Sequence, residues 1–233
     1  MNSSHLRHSE RALRSHTYVD SQPEEFPEGS KAVLLSAAIK QDLTRLAELD
    51  VIRSGSMTRQ KQATAARQTA HRLLTNLLNK TINTSELFAD GHPDTIGMFG
   101  RPQKNANDQT LIADARSIAD KAASLVGLFT QNGMATTFVS DMRSYANAIE
   151  SSIQIQTESA GERMRANAEM KEIIRHLGEL VDRLDIVIRN KYSNNPAQIA
   201  AWEMARRLEH PARSKRNNDD DEEGDNAPPA PQP

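Results

Sequence analysis

The stretch that decides the fold class is residues 170–188, MKEIIRHLGELVDRLDIVI. Its apolar residues recur at alternating spacings of three and four, which is the period of an α-helix with one apolar side. The seam of this repeat consists of Met170, Ile173, Leu177, Leu180, Leu184 and Val187, and it is widened by Ile174, Val181 and Ile188. A stripe of this width is typical of a helix that packs within a bundle.

Four earlier segments carry the same period. The clearest has spacings of 4, 3, 4, 3 and 4 through Leu111, Ala115, Ile118, Ala122, Leu125 and Phe129. The others surround Leu35–Leu46, Ala63–Leu77 and Phe138–Ile149, and no stretch shows the period-two alternation of a strand. The sequence therefore predicts an all-α fold, an antiparallel four- to five-helix bundle with a short terminal helix and disordered tails. The alternative is an open coiled-coil assembly in which other subunits complete the same seams.

Small and turn-forming residues suggest where the helices end. Ser54-Gly55-Ser56 and Gln131-Asn132-Gly133 are interpreted as short links between antiparallel neighbours. A turn or kink is also expected near 157–162, at Ser159-Ala160-Gly161, because an uninterrupted helix of about 55 residues would be roughly 80 Å long. Its predicted predecessors are less than half that length and would not cover it. One continuous helix is the alternative.

The two ends of the chain differ from the body. Residues 1–29 show no sustained periodicity and are expected to be a disordered or weakly helical tail, followed by a helical-bundle domain at 30–209. Asn195 and Pro196 suit the start of a last helix that carries Ile199, Trp202 and Leu208. Residues 210–233 run from basic to acidic and then proline-rich, and we expect them to be disordered.

Composition excludes several kinds of chemistry. The 233 residues contain no Cys, which rules out disulfides, thiolate metal sites and Cys nucleophiles. The net charge of -2 combines a mildly basic body with an acidic tail and indicates no particular partner. No apolar run is long enough to span a membrane, and the first residues lack the apolar core of a secretory signal, so a cytoplasmic location is expected.

No catalytic constellation emerges. A di-iron bundle needs Glu-x-x-His motifs that point inward, and the nearest pair, Glu172 and His176, is spaced by four and lies off the seam. We interpret this pair as a solvent-facing ion pair. No nucleophile elbow or phosphate-binding glycine loop is present. The sequence therefore predicts no catalytic, cofactor-binding or metal-binding residue, no cofactor, and a protein that is not an enzyme.

The helix around Ala63–Leu77 is unusually basic and contains no acid between Met57 and Ile82. Arg59, Lys61, Arg67 and Arg72 are candidate anion-binding residues, because a basic helical face can bind nucleic acid or an anionic surface. The alternative is a solvated face that acids on neighbouring helices balance.

The segment at about 83–107 is the most irregular part of the body. Its apolar residues, Leu87, Phe88, Ile96, Met98 and Phe99, are candidates for an interaction loop. The alternative is a hydrophobic plug that closes one end of the bundle.

The stretch Leu184–Glu209 combines a Leu-Asp…Ile-Arg-Asn helix end, Asn194-Asn195-Pro196-Ala197 and a helix that contains Trp202. In this layout it resembles a group of uncharacterised bacterial helical-bundle proteins. The resemblance implies a bacterial helical bundle and supplies no functional residue.

Taken together, the patterns favour a non-enzymatic, cytoplasmic helical-bundle protein that acts by self-association or by binding another protein. Nucleic acid or an anionic surface, bound through the basic helix, is the competing hypothesis.

Overall fold

A computed structural model of the chain describes residues 3–88, 91–95, 97–101 and 106–209. Throughout these residues the regular structure is helical, which confirms the predicted all-α class. The helices are α1 (Ser3–Asp20), α2 (Lys31–Phe88), α3 (Asp108–Ala123), α4 (Val126–Gln131), α5 (Phe138–Lys191) and α6 (Pro196–Arg206), with a 3-10 turn at Pro93–Thr95. The predicted disordered tail at 210–233 lies outside the described residues.

Two very long helices form the frame of the molecule. At 1.5 Å per residue, the 58 residues of α2 and the 54 residues of α5 span about 87 and 81 Å. They run antiparallel, because residues late in α5 contact residues early in α2. Arg45 Nε lies 2.7 Å from Glu169 Oε1, and Gln156 Nε2 lies 3.1 Å from Thr64 Oγ1.

The breaks predicted at Ser54-Gly55-Ser56 and near 157–162 are both wrong, and for one reason. The two segments lie at the same level of the α2–α5 pair, where Ser56 Oγ donates to Glu162 Oε2 at 2.9 Å. A break in α5 was inferred because no predicted partner was long enough to cover it, but an unbroken α2 covers it. A glycine inside a helix costs only about 1 kcal/mol relative to alanine. Continuous packing of the two helices outweighs that cost.

The apolar core consists of two clusters at opposite ends of the long pair. One cluster joins α1, α6, the first half of α2 and the second half of α5, and includes Leu46 and Leu177. The other joins α3, α4 and the remaining halves, and includes Leu74 and Phe129. The predicted bundle therefore takes the form of a four-helix group at each end, with α2 and α5 common to both.

The prediction of a disordered or weakly helical tail at 1–29 is corrected by α1. This helix buries Ala12, Ser15 and Val19 against the rest of the molecule. Arg11 also donates to the Asp182 carboxylate and to the Arg206 carbonyl, both at 2.8 Å. Small buried residues make a weak apolar stripe, so tertiary contacts stabilise α1 where the local sequence alone would not.

The last helix begins as predicted. The Asn195 side chain accepts a hydrogen bond from Gln198 N, and Pro196 occupies the first helical position. Trp202 is fully buried, and its Nε1 donates to Asp185 Oδ1 at 2.7 Å. α6 ends at Arg206, so Leu208 follows the helix instead of belonging to it.

Candidate interaction face

The middle of the molecule, which we call the waist, consists of residues 50–69 of α2 and 150–165 of α5. Its buried side chains are small or polar: Ser56, Ala63, Ser152 and Ser159. Hydrogen bonds between the two helices replace apolar packing there. For example, Arg163 Nη1 of α5 donates to Gln60 Oε1 of α2 at 3.0 Å. The waist therefore lacks the wide apolar core of the two ends.

Two neighbouring cavities follow one flank of this helix pair. The first, of about 380 Å³, is lined by Ala63, Ala66 and Ile155 among others. The second, of about 570 Å³, is lined by Leu49, Ile52 and Ala166 among others. Arg59 and Glu162 line both cavities and form an ion pair with each other. The two cavities are thus parts of one groove, which this ion pair divides.

The smaller helices lie on the opposite flank. On α2, Ser36 Oγ contacts His16 of α1 and Arg67 forms an ion pair with Asp108 of α3. Successive residues of an α-helix are rotated by 100° about its axis. By this rotation, positions 36 and 67 lie on one side of the buried seam of α2, which is formed by Leu49, Ser56 and Ala63. Positions 45, 52, 59, 66 and 73 fall on the other side, where the groove is.

We call the uncovered flank the open face. It holds five of the twelve large apolar side chains that are exposed among the described residues: Val51, Ile52, Leu73 and Leu87 of α2, and Ile155 of α5. A row of exposed aliphatic residues along about 54 Å of helix is unusual for a surface that only water covers. The open face is therefore the candidate interaction site.

Charges along the groove are separated by helix. α2 lines it with Arg45 and Arg59, whereas α5 lines it with Glu158, Glu162 and Glu169 together with Arg165. The hydrogen bond from Arg45 lowers the pKa of Glu169, and hydrogen bonds to Glu169 and Glu48 raise the pKa of Arg45. Both side chains therefore stay ionised at neutral pH, and the face has a basic rim and an acidic rim.

The structure does not bring the four candidate anion-binding residues together. Arg59 pairs with Glu162 on the open face, and Arg67 pairs with Asp108 on the opposite flank. Lys61 and Arg72 are exposed on the side of α2 that faces away from α5. They are eleven positions apart, or about 16 Å along the helix. Anion binding through these residues stays a prediction.

The candidate loop residues are divided between a core and a surface. Phe88, at the end of α2, and Phe99 are both buried and pack edge-on against Phe129, with ring centroids 5.0 and 5.6 Å apart. Met98 is half-buried beside this cluster, and Ile96 lies outside the described residues. Leu87 is 71% exposed and belongs to the open face. The burial of Phe88 and Phe99 fits the plug interpretation.

One polar pair was missed by the sequence analysis. His16 Nδ1 of α1 lies 2.7 Å from Ser36 Oγ of α2, beside a cavity of about 360 Å³ that Phe26 and Lys40 also line. Ser36 Oγ also lies 3.4 Å from the His16 carbonyl oxygen. These contacts attach α1 to α2. No sequence signal joins the two residues, because they belong to different helices.

The Glu172–His176 ion pair expected from the sequence is wrong. Glu172 instead accepts from Arg175, and His176 Nδ1 lies 2.7 Å from Asp42 Oδ2 on α2. Within the residues that the structure describes, no three His, Asp or Glu side chains come together as a metal site requires.

Comparison of the chain with protein-family models, curated proteins and solved structures finds no match. None of the helices in the described ranges is both long enough and apolar enough to cross a bilayer.

Proposed function

We propose that this protein is a non-enzymatic helical protein of the cytoplasm that acts by associating with itself or with another protein. The observation that supports the proposal is the open face, which the smaller described helices leave uncovered along both long helices. We also propose that the chain is one of the uncharacterised bacterial helical-bundle proteins that it resembles in sequence layout.

The shape and chemistry of the open face suit a helical partner. The groove is long and narrow, has small residues such as Ala63 and Ser159 on its floor, and has aliphatic and charged residues on its rims. An amphipathic helix buries its apolar side in such a groove and pairs its charges with the rims. Burial of Ile52 and Ile155 would add about 1.5–3 kcal/mol per fully buried side chain.

Site-specific photo-crosslinking inside the native host tests this proposal. A photoreactive amino acid replaces Ile155 on the open face, and the same amino acid replaces Ser117, an exposed residue of α3, as the matched control. We expect covalent protein adducts from position 155 and none from position 117. Equal yields from the two positions, or no adduct from either, would contradict the proposal.

The competing function is anion binding. Its support in the structure is the exposure of Lys61 and Arg72, which form no ion pair among the described residues. Retention on DNA at low salt that the double variant K61A/R72A abolishes would favour this alternative.

A further inference from the structure

We infer that the open face binds a second copy of this chain, in a two-fold symmetric dimer that places α2 of each copy on α5 of the other. This inference rests on the proposed function and names its partner. The waist, a two-helix segment in the monomer, becomes a four-helix bundle in the dimer.

The C-terminal tail is a poor occupant of the groove. Residues 211–233 contain no Leu, Ile, Val, Met, Phe, Tyr or Trp, so they cannot fill an aliphatic groove. A second open face supplies what the tail lacks, because it presents the same exposed aliphatic residues. Self-pairing of one patch is also the rule for two-fold symmetric dimers.

The separated charges select one way of pairing the two faces. If the two-fold axis runs parallel to the long helices, the basic rim of α2 meets the acidic rim of the other copy's α5. If the axis runs across the helices in the plane of the face, Arg-bearing rim meets Arg-bearing rim and Glu-bearing rim meets Glu-bearing rim. Juxtaposition of like charges disfavours the second arrangement.

A two-fold axis parallel to the long helices also places each residue of one copy at the same height along the helices as the same residue of the other copy. Arg59 of one copy then lies beside Glu162 of the other, since these residues share a level within the monomer. Ile155 of each copy meets the small Ala63 and Ala66 of the other by the same argument. Large residues therefore face small ones, as knobs-into-holes packing requires.

Charge reversal tests the inference by light scattering on the purified full chain. The wild type should show twice the chain mass of 25.9 kDa, with a concentration-dependent return to the monomer. R59E alone and E162R alone should each weaken dimerisation by at least about tenfold, because each creates two symmetric like-charge contacts. R116E is the matched control, since Arg116 forms an exposed ion pair with Glu150 on the flank of the smaller helices. It should leave the mass unchanged.

Mixing the two variants isolates the contact between chains. In a heterodimer of R59E with E162R, both intermolecular contacts are again between opposite charges, whereas the contact inside each chain stays like-charged. We therefore expect the mixture to dimerise although neither variant does so alone, with circular dichroism showing unchanged helix content in each.

Three results would overturn the inference. The first is a wild type that is monomeric at every concentration. That result would rule out the dimer, and the crosslinking experiment would then test whether the open face binds another protein. The second is an oligomer that R59E and E162R do not affect. That result would show that the chain self-associates through a surface other than the open face. The third is a stronger dimer in R59E, which would indicate the arrangement with α2 on α2 in which Arg59 of one copy faces Arg45 of the other.

Discussion

At the scale of single residues, the contact between Trp202 and Asp185 joins three helices. The Asp185 carboxylate accepts from Trp202 Nε1 at 2.7 Å and Arg189 Nε at 2.9 Å, and it pairs with Arg206 at 3.3 Å. The Trp202 ring also packs 5.3 Å from the ring of Tyr18 in α1. One carboxylate and one indole thus connect α5, α6 and α1.

We expect W202A to lower the free energy of unfolding by about 3–5 kcal/mol, because it leaves a cavity and removes a hydrogen bond. W202F retains much of the ring packing and should cost only about 1–2 kcal/mol. Urea unfolding followed by circular dichroism measures both values. A W202A loss no larger than that of W202F would mean that the ring itself contributes little.

Tyr192 makes the free energy of unfolding depend on pH in the alkaline range. Burial, together with the Glu25 carboxylate, raises the pKa of Tyr192 to about 12 in the folded protein. The unfolded value is about 10, so the fold favours the neutral phenol. The corresponding stability is present below pH 10 and is lost between about pH 10 and 12, on the order of 2 kcal/mol at most. Urea unfolding from pH 8 to 11.5 should therefore show a steeper decline in wild type than in Y192F. Parallel declines in the two proteins would contradict this assignment.

At the scale of elements, the spacing of apolar residues was enough to predict that the body of the chain is helical, but not to predict α1. It was also not enough to predict where the helices of the body end, and therefore which of them are antiparallel neighbours. Ser54-Gly55-Ser56 and Ser159-Ala160-Gly161 have the composition of links, yet each lies inside a helix because its neighbour is continuous too. Local propensity carries no information about that neighbour. Gln131-Asn132-Gly133 differs, because α4 ends at Gln131 and Gly133 has a φ of +83°.

The two kinds of glycine should respond in opposite ways to alanine. At Gly161 the added Cβ meets only Arg165 Nη2, at 3.7 Å, and the helical backbone suits alanine, so G161A should stabilise the protein by up to about 1 kcal/mol. At Gly133 the positive φ strains any L side chain, so G133A should destabilise it by about 1 kcal/mol. Thermal and urea unfolding of both variants test this pair of predictions. Destabilisation by G161A would argue for a broken α5.

At the scale of the whole molecule, the candidate site follows from the side on which the smaller helices pack. Arg59 and Leu87 were singled out from the sequence for separate reasons, and both lie on the open face. The face as a whole was not predictable, because the flank that α1 and α3 occupy is set by contacts such as His16 with Ser36 and Asp108 with Arg67. Those contacts join residues far apart in the chain.

The two apolar clusters should respond independently to mutation. Leu46 and Leu74 are both fully buried on α2, but they belong to different clusters and are 28 positions, or about 42 Å, apart. L46A and L74A should each cost about 2–5 kcal/mol and should add within about 0.5 kcal/mol in the double variant, since no shared neighbour couples them. Hydrogen exchange should show L46A exposing amides of α1 and α6, and L74A exposing those of α3. Equal loss of protection at both ends in either single variant would instead show that the polar waist transmits unfolding from one cluster to the other, and that the molecule opens as one cooperative unit.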